Sequence, residues 1–119
     1  MVLSYTTSPA YHRHVDKTER YRAAAFSEGH YAQIEVAAKV AHSPNQALAD
    51  QFLAFMLSPE FQNIIPTTNW MYPATRSHTA LPAAFNGLVN PKTTLLFDTN
   101  VVARQRKIWI REWLDALTD

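Results

Sequence analysis

Three Ser-Pro pairs, Ser8-Pro9, Ser43-Pro44 and Ser58-Pro59, punctuate this 119-residue chain and constrain its fold more than any other feature. A serine hydroxyl accepts the unpaired N–H groups at a helix start. Proline suits the first helical position, because the N–H it lacks would have no partner there. Each pair is therefore expected as an N-cap followed by helix. The first helix should run from Pro9 to about Glu19 and the second from Pro44. The third, from Pro59, should be short and stop before Pro66, with Ile65 as its end, since the residue before a proline is pushed out of the helical region.

Between these helices three segments read as extended. Val2, Leu3, Tyr5 and Thr6 are residues that suit a pleated, half-buried strand, and the chain is expected to be cut short at Met1, where that strand starts with no lead-in. Tyr31 to Ala37 alternates, with Ile34 and Val36 on one face and Gln33 and Glu35 on the other; Thr93 to Phe97 is the third. Arg20 to Gly29 suits either a short helix or an extended connector, and Gly29 ends it. Leu48, Phe52, Phe55 and Met56 form an apolar stripe expected to be core. Asp98 is a good N-cap for a last helix over about Thr99 to Leu117. There Val102, Trp109, Trp113 and Leu117 make a second stripe expected to be buried, with Arg104, Arg106, Lys107 and Arg111 mostly elsewhere. Ala74 to Leu81 reads as an exposed loop and Pro82 to about Leu88 as a short helix. The fold class is α/β or α+β.

Composition narrows the function. Apolar residues make up 47% and charged ones 18%, which excludes a disordered or fibrous class. A formal charge of +1 gives no basic field for nucleic acid. Two glycines, Gly29 and Gly87, do not make a Gly-rich phosphate loop, and with no cysteine there is no disulfide framework. No GxSxG, HExxH or P-loop pattern occurs, so a binding module is expected rather than an enzyme. His12-x-His14 is not expected to hold a metal, because residues two apart point to different sides of a helix. Glu28-Gly29-His30 sets an acid near a histidine, a pairing too common to mark acid–base chemistry alone.

Aromatics carry the remaining signal. Tyr5 and Tyr11 flank the strand-to-helix turn at Ser8-Pro9, where free N–H groups and a positive dipole end gather. Backbone donors and phenol rings in one place suit a small-molecule cleft. They also suit an ordinary half-buried corner of an α/β protein, and the stretch alone does not decide. Pro66 to Pro73 is an irregular loop carrying Trp70 and Tyr72, which either lies on the core or presents rings to a ligand. Such faces favour a planar cation.

Several of these stretches carry a family resemblance. Leu3-Ser4-Tyr5-Thr6-Thr7-Ser8-Pro9-Ala10-Tyr11-His12, Phe26-Ser27-Glu28-Gly29-His30-Tyr31 and Phe61-Gln62-Asn63 resemble the thiamine-binding periplasmic proteins of bacterial ABC importers. Ile65-Pro66-Thr67-Thr68-Asn69-Trp70-Met71-Tyr72-Pro73 and the closing Gln105-Arg106, Trp109-Ile110-Arg111-Glu112-Trp113 do so too. The resemblance covers the whole chain and implies the C-terminal portion of a two-lobed, periplasmic-binding-protein-like α/β fold. Residues 1–30 would then belong to one lobe, 31–37 to a hinge-crossing strand and 38–119 to the helical C-terminal part of the other lobe. It implies no cofactor and no metal, but a ligand: thiamine, thiamine monophosphate or thiamine diphosphate. Tyr5, Tyr11 and Trp70 would contact that ligand, with Ser8, Asn69 and Tyr72 as further phosphate or cleft contacts. A periplasmic location and a permease partner in the inner membrane follow from the same resemblance. Two alternatives stand beside it. One is a ferric-ion or other anion-binding protein of the same fold, although no adjacent Tyr-Tyr pair occurs. The other is a structural piece without ligand that self-associates through its apolar stripes.

Overall fold

The computed structural model describes residues 2–76 and 79–118; Met1 and the 77–78 part of the loop expected over Ala74 to Leu81 lie outside the described residues. Five helices, one 3-10 turn and two short strands follow one another among these residues. In chain order they are α1 (Ser8–His14), β1 (His30–Tyr31), α2 (Gln46–Met56), α3 (Pro59–Gln62), α4 (Ile65–Thr68), a 3-10 turn (Ala83–Phe85), β2 (Thr94–Leu95) and α5 (Thr99–Thr118).

The caps show where local chemistry governs. Ser58 caps α3, its hydroxyl accepting from Phe61 N at 3.4 Å. Asp98 caps α5 more fully, with Oδ1 accepting from Asn100 N at 2.9 Å and Val101 N at 3.1 Å. The other two Ser-Pro pairs work differently from expectation. Thr7, not Ser8, is the N-cap of α1, and Ser8 Oγ instead accepts from Tyr5 N at 3.3 Å and meets Ser4 Oγ at 2.6 Å. Asn45 precedes α2, and Ser43 Oγ accepts from Asn45 N at 3.2 Å, a local turn one step ahead of the helix. The first helix ends at His14, well short of Glu19, because Lys17 turns to φ 53° and Thr18 N folds back on His12 O at 3.1 Å. Ile65 opens α4 instead of closing α3, and Pro66 sits in that first turn, where a missing N–H costs nothing.

Strand content is smaller than the side-chain pattern suggests. Residues 2–5 take no regular structure, and Val2 and Leu3 stay exposed. The Ser4, Tyr5 and Ser8 bonds curl this segment, and the sheet of the described residues contains only β1 and β2. Those two pair in parallel, His30 with Thr94 and Tyr31 with Leu95. Ala32 N extends the ladder to Leu95 O at 3.0 Å, beyond which Ile34 and Val36 are exposed. Gly29 lets the strands meet: at φ 111° it passes so near Thr93 that a Cβ would lie 2.7 Å from the Thr93 carbonyl oxygen.

The apolar stripes are uncovered. Phe52 is 55% exposed, Phe55 49%, Trp113 52% and Leu117 64%, and neither α2 nor α5 has a buried residue. The expectation that both stripes form core is therefore corrected. A radius of gyration of 17.9 Å exceeds the roughly 13.5 Å of a compact chain this long, which leaves these faces without an opposing layer. Burial centres elsewhere, where α1 lies on the 3-10 turn: Ala10 is fully buried, Phe85 5% exposed, and Arg13 Nη1 donates to Asn86 O at 2.6 Å and Ala84 O at 3.2 Å.

With no buried face, α5 depends on its cap. Asp98→Ala should lower the far-UV helical signal and reduce helix stability by about 1 kcal/mol, whereas Asp98→Asn should retain most of both.

Candidate functional site

Gln62, only 3% exposed, holds the loop that carries the site. Its Nε2 donates to Met56 O at 2.6 Å at the end of α2. Its Oε1 accepts from Ala74 N at 2.7 Å and Thr75 N at 3.4 Å. The chain from Gln62 to Ala74 is thereby closed into a loop at its base, and Trp70 stands within it. Asn69 ends α4, its N donating to Ile65 O at 2.9 Å, and Trp70 follows at φ 57°. That left-handed position after a helix usually takes glycine, because a side chain there is strained by about 1–2 kcal/mol. Neighbours hold the indole in place. The Tyr11 ring meets it edge-on at 5.5 Å between centroids and 88°, and the His14 ring lies 5.4 Å away. Thr7, 4% exposed, adds a hydroxyl contact to Met71 Sδ at 3.9 Å.

These contacts bring α1 and the loop together around a cleft of about 320 Å³ lined by Ser4, Tyr5, Thr7, Ser8, Tyr11, His12, Asn69 and Trp70. Of the residues singled out in the sequence, Tyr5, Tyr11, Ser8, Asn69 and Trp70 meet here. Tyr72 does not line this cleft. Its ring packs edge-on against Phe85 at 5.6 Å, and partial burial pushes its phenol above the usual tyrosine range. Met71 between them still touches Thr7 at the start of α1, yet the two aromatics, two residues apart, serve different surfaces: Trp70 the cleft and Tyr72 the 3-10 turn.

His12 lines the cleft without having been singled out for it. Its Nδ1 meets Asp16 Oδ2 at 2.6 Å, one helical turn on. Its ring lies 4.2 Å from Tyr21 and 5.3 Å from Tyr11. The i,i+4 spacing of His12 and Asp16 is the legible signal. His14 turns to Trp70 instead of joining His12. Glu28 and His30 also part. The Glu28 carboxyl is held below its usual range first by its own backbone N–H and then by the Ser27 hydroxyl, at 3.0 Å. His30 Nε2 accepts from Phe26 N at 3.3 Å.

Chemically the cleft offers two perpendicular aromatic faces, an imidazole and a row of hydroxyls, with no carboxylate in its lining. Rings of this kind attract a planar cation through their quadrupoles, and the hydroxyls suit a polar tail.

This helix-rich arrangement with few strands matches part of a solved periplasmic binding protein. The chain superposes on a solved structure titled periplasmic thiamin binding protein with a TM-score of 0.83 at 57% identity, over 97% of this chain and 36% of that one. In sequence it is 54% identical over 116 residues to the thiamine-binding periplasmic protein of Brucella suis biovar 1 (strain 1330), covering 98% of this chain and 35% of the relative. Proteins of the same name from Salmonella typhimurium and Escherichia coli (strain K12) are 56% identical over 118 residues, covering 99% of this chain and 36% of each relative. No protein-family model matches. The chain is a relative of the thiamine-binding periplasmic proteins over the third of their length that it spans.

Breaking the loop base should loosen the site. Gln62→Ala strands the Ala74 N–H and the Met56 carbonyl, at about 1–3 kcal/mol. Amide hydrogen exchange at Ala74 should accelerate at least fivefold, with exchange in α5 unchanged.

Proposed function

We propose that this protein is a periplasmic solute-binding protein that takes thiamine, or its mono- or diphosphate, between two lobes and delivers it to an inner-membrane ABC permease. The observation that carries the reading is the perpendicular Tyr11–Trp70 pair at the cleft, in a chain 54–56% identical to proteins named for thiamine. Thiamine joins a quaternary thiazolium to an aminopyrimidine, so it has both a cation for an aromatic face and a flat ring for stacking. Tyr5, Tyr11 and Trp70 supply the rings; Ser8 and Asn69 stand ready for the hydroxyethyl or phosphate end. Tyr72 has no contact with ligand in this reading, because its ring is engaged with Phe85. Residues 1–30 form part of one lobe, 31–37 the hinge crossing and 38–119 part of the other. Binding and transport require no chemical step, and none of these residues is assigned a catalytic role.

Thiamine should quench the intrinsic fluorescence of the full-length protein. Trp70→Ala should weaken thiamine binding by about 0.5–2 kcal/mol, roughly 2- to 30-fold. Titration calorimetry giving equal affinities for both proteins would remove Trp70 from the site.

The cleft of this chain is open and carries only a share of the walls expected of a two-lobed site, and its apolar helices are uncovered. The isolated 119-residue chain should bind thiamine at least two decades more weakly than the full-length protein, since two lost charge-assisted hydrogen bonds at about 1.5–3 kcal/mol each amount to that or more. It should also associate through α2 and α5 as its concentration rises, an increase that light scattering reports. Micromolar binding by a monomeric chain would contradict both expectations.

A further inference from the structure

Glu35 stands outside the cleft, yet it bonds to the residue that sets Trp70. Its Oε2 accepts from Asn69 Nδ2 at 3.0 Å, a contact between positions 34 residues apart in the chain. Asn69 is the last cap residue of α4, and Trp70 directly follows it in the left-handed conformation. A tryptophan at φ 57° keeps that backbone only if its surroundings over-determine it. Two ring contacts act on the indole itself, Tyr11 at 5.5 Å and His14 at 5.4 Å. Beside the Gln62 closure and the Thr7 contact to Met71, a further restraint acts on the backbone just before it, through the Asn69 side chain.

Glu35 is well placed to give that restraint. It follows β1 closely, and β1 is fixed to β2 by the parallel pairing and by Ala32 N on Leu95 O at 3.0 Å. The carboxylate thus stands three residues past the last ladder bond, on exposed chain that leaves the sheet, while the amide it holds belongs to the end of the four-residue helix α4. A carboxylate accepts a stronger hydrogen bond from an amide than a neutral oxygen does, and this exposed bond, at 3.0 Å, sets the direction of the Asn69 side chain.

We propose that Glu35 is a positioning residue for Trp70: by holding the Asn69 amide it keeps the indole turned into the cleft and couples the segment after β1 to the aromatic wall. The consequence for ligand rests on the thiamine reading above; the orientation of the indole does not. When the segment after β1 moves, the Asn69 amide moves with it, and the Trp70 face is presented or withdrawn. A thiamine-binding protein built this way sets its cleft geometry from the segment that leaves the sheet.

Two measurements on the full-length protein test this. In a background in which every tryptophan of the full-length protein except Trp70 is replaced by phenylalanine, Trp109 and Trp113 among them, the emission reports Trp70 alone. There, without ligand, Glu35→Ala should shift the Trp70 emission to the red and raise its acrylamide quenching about twofold. Glu35→Gln keeps an acceptor oxygen and should leave both near the parent values, and Asn69→Ala should reproduce the alanine effect from the other side. In the second measurement, calorimetry with thiamine, Glu35→Ala should lose three- to tenfold in affinity, Glu35→Gln less than twofold, and Glu35→Ala should add nothing in a Trp70→Ala protein. An unchanged Trp70 emission, a glutamine variant as impaired as alanine, or an undiminished effect of Glu35→Ala without Trp70 would each overturn the proposal. A parent protein that does not bind thiamine would refute the functional reading instead, and the emission of Trp70 would still decide the positioning role. Should Glu35→Ala fail to fold, Asn69→Ala still gives the ligand-free emission and quenching reading, which decides the positioning role without calling on the affinity of a variant that itself lines the cleft.

Discussion

The hydrogen bonds of Gln62 are the constraint on which the site depends. A chain whose long helices bury nothing cannot hold a loop in place by hydrophobic enclosure. Instead one buried amide ties the end of α2 to residues 74 and 75, satisfying the Met56 carbonyl and two backbone N–H groups at once. A buried polar group left unpaired is costly, so the three bonds are made together or the arrangement fails. Everything between Gln62 and Ala74, Trp70 included, inherits its position from that closure.

The cleft then follows from a second meeting, between this loop and α1. Helix α1 is only seven residues long and is fixed by the buried Ala10 and by Arg13 reaching the carbonyls of the 3-10 turn. Its exposed side carries Tyr11, and the left-handed backbone at Trp70 turns the indole to meet it. Strain at Trp70 is offset by ring contacts and by the anchored Asn69, a pattern common where a binding surface needs one side chain in one orientation. Two residues on, past the Thr7–Met71 contact, Tyr72 belongs to the Phe85 cluster instead.

The bare stripes on α2 and α5 have a different meaning. Leu48, Phe52, Phe55, Trp109 and Trp113 keep helical spacing, yet each remains at least 38% exposed. Spacing shows that a face is made for burial; it does not supply the opposing layer. The chain spans about a third of the length of the curated relatives it matches.

Sequence alone determined part of what depends on near neighbours. Ser58 and Asp98 cap the helices that follow them because an N-cap bond closes over two or three residues. Gly29 was legible as a break, and the aromatic motifs were legible as a family resemblance. Local pattern misled where a partner was required: Val2 to Thr6 has strand-forming residues but pairs with no strand among the described residues, and Ile65-Pro66 opens a helix instead of closing one. Tertiary structure decided which rings share a cleft. Tyr11 and Trp70 are 59 positions apart in the chain, and their 5.5 Å approach requires Gln62, Arg13 and the turn at Trp70 to act together. His12 enters that cleft and Tyr72 leaves it for the same reason. Side-chain direction there is set by a backbone angle and by distant hydrogen bonds, which residue type and spacing do not encode.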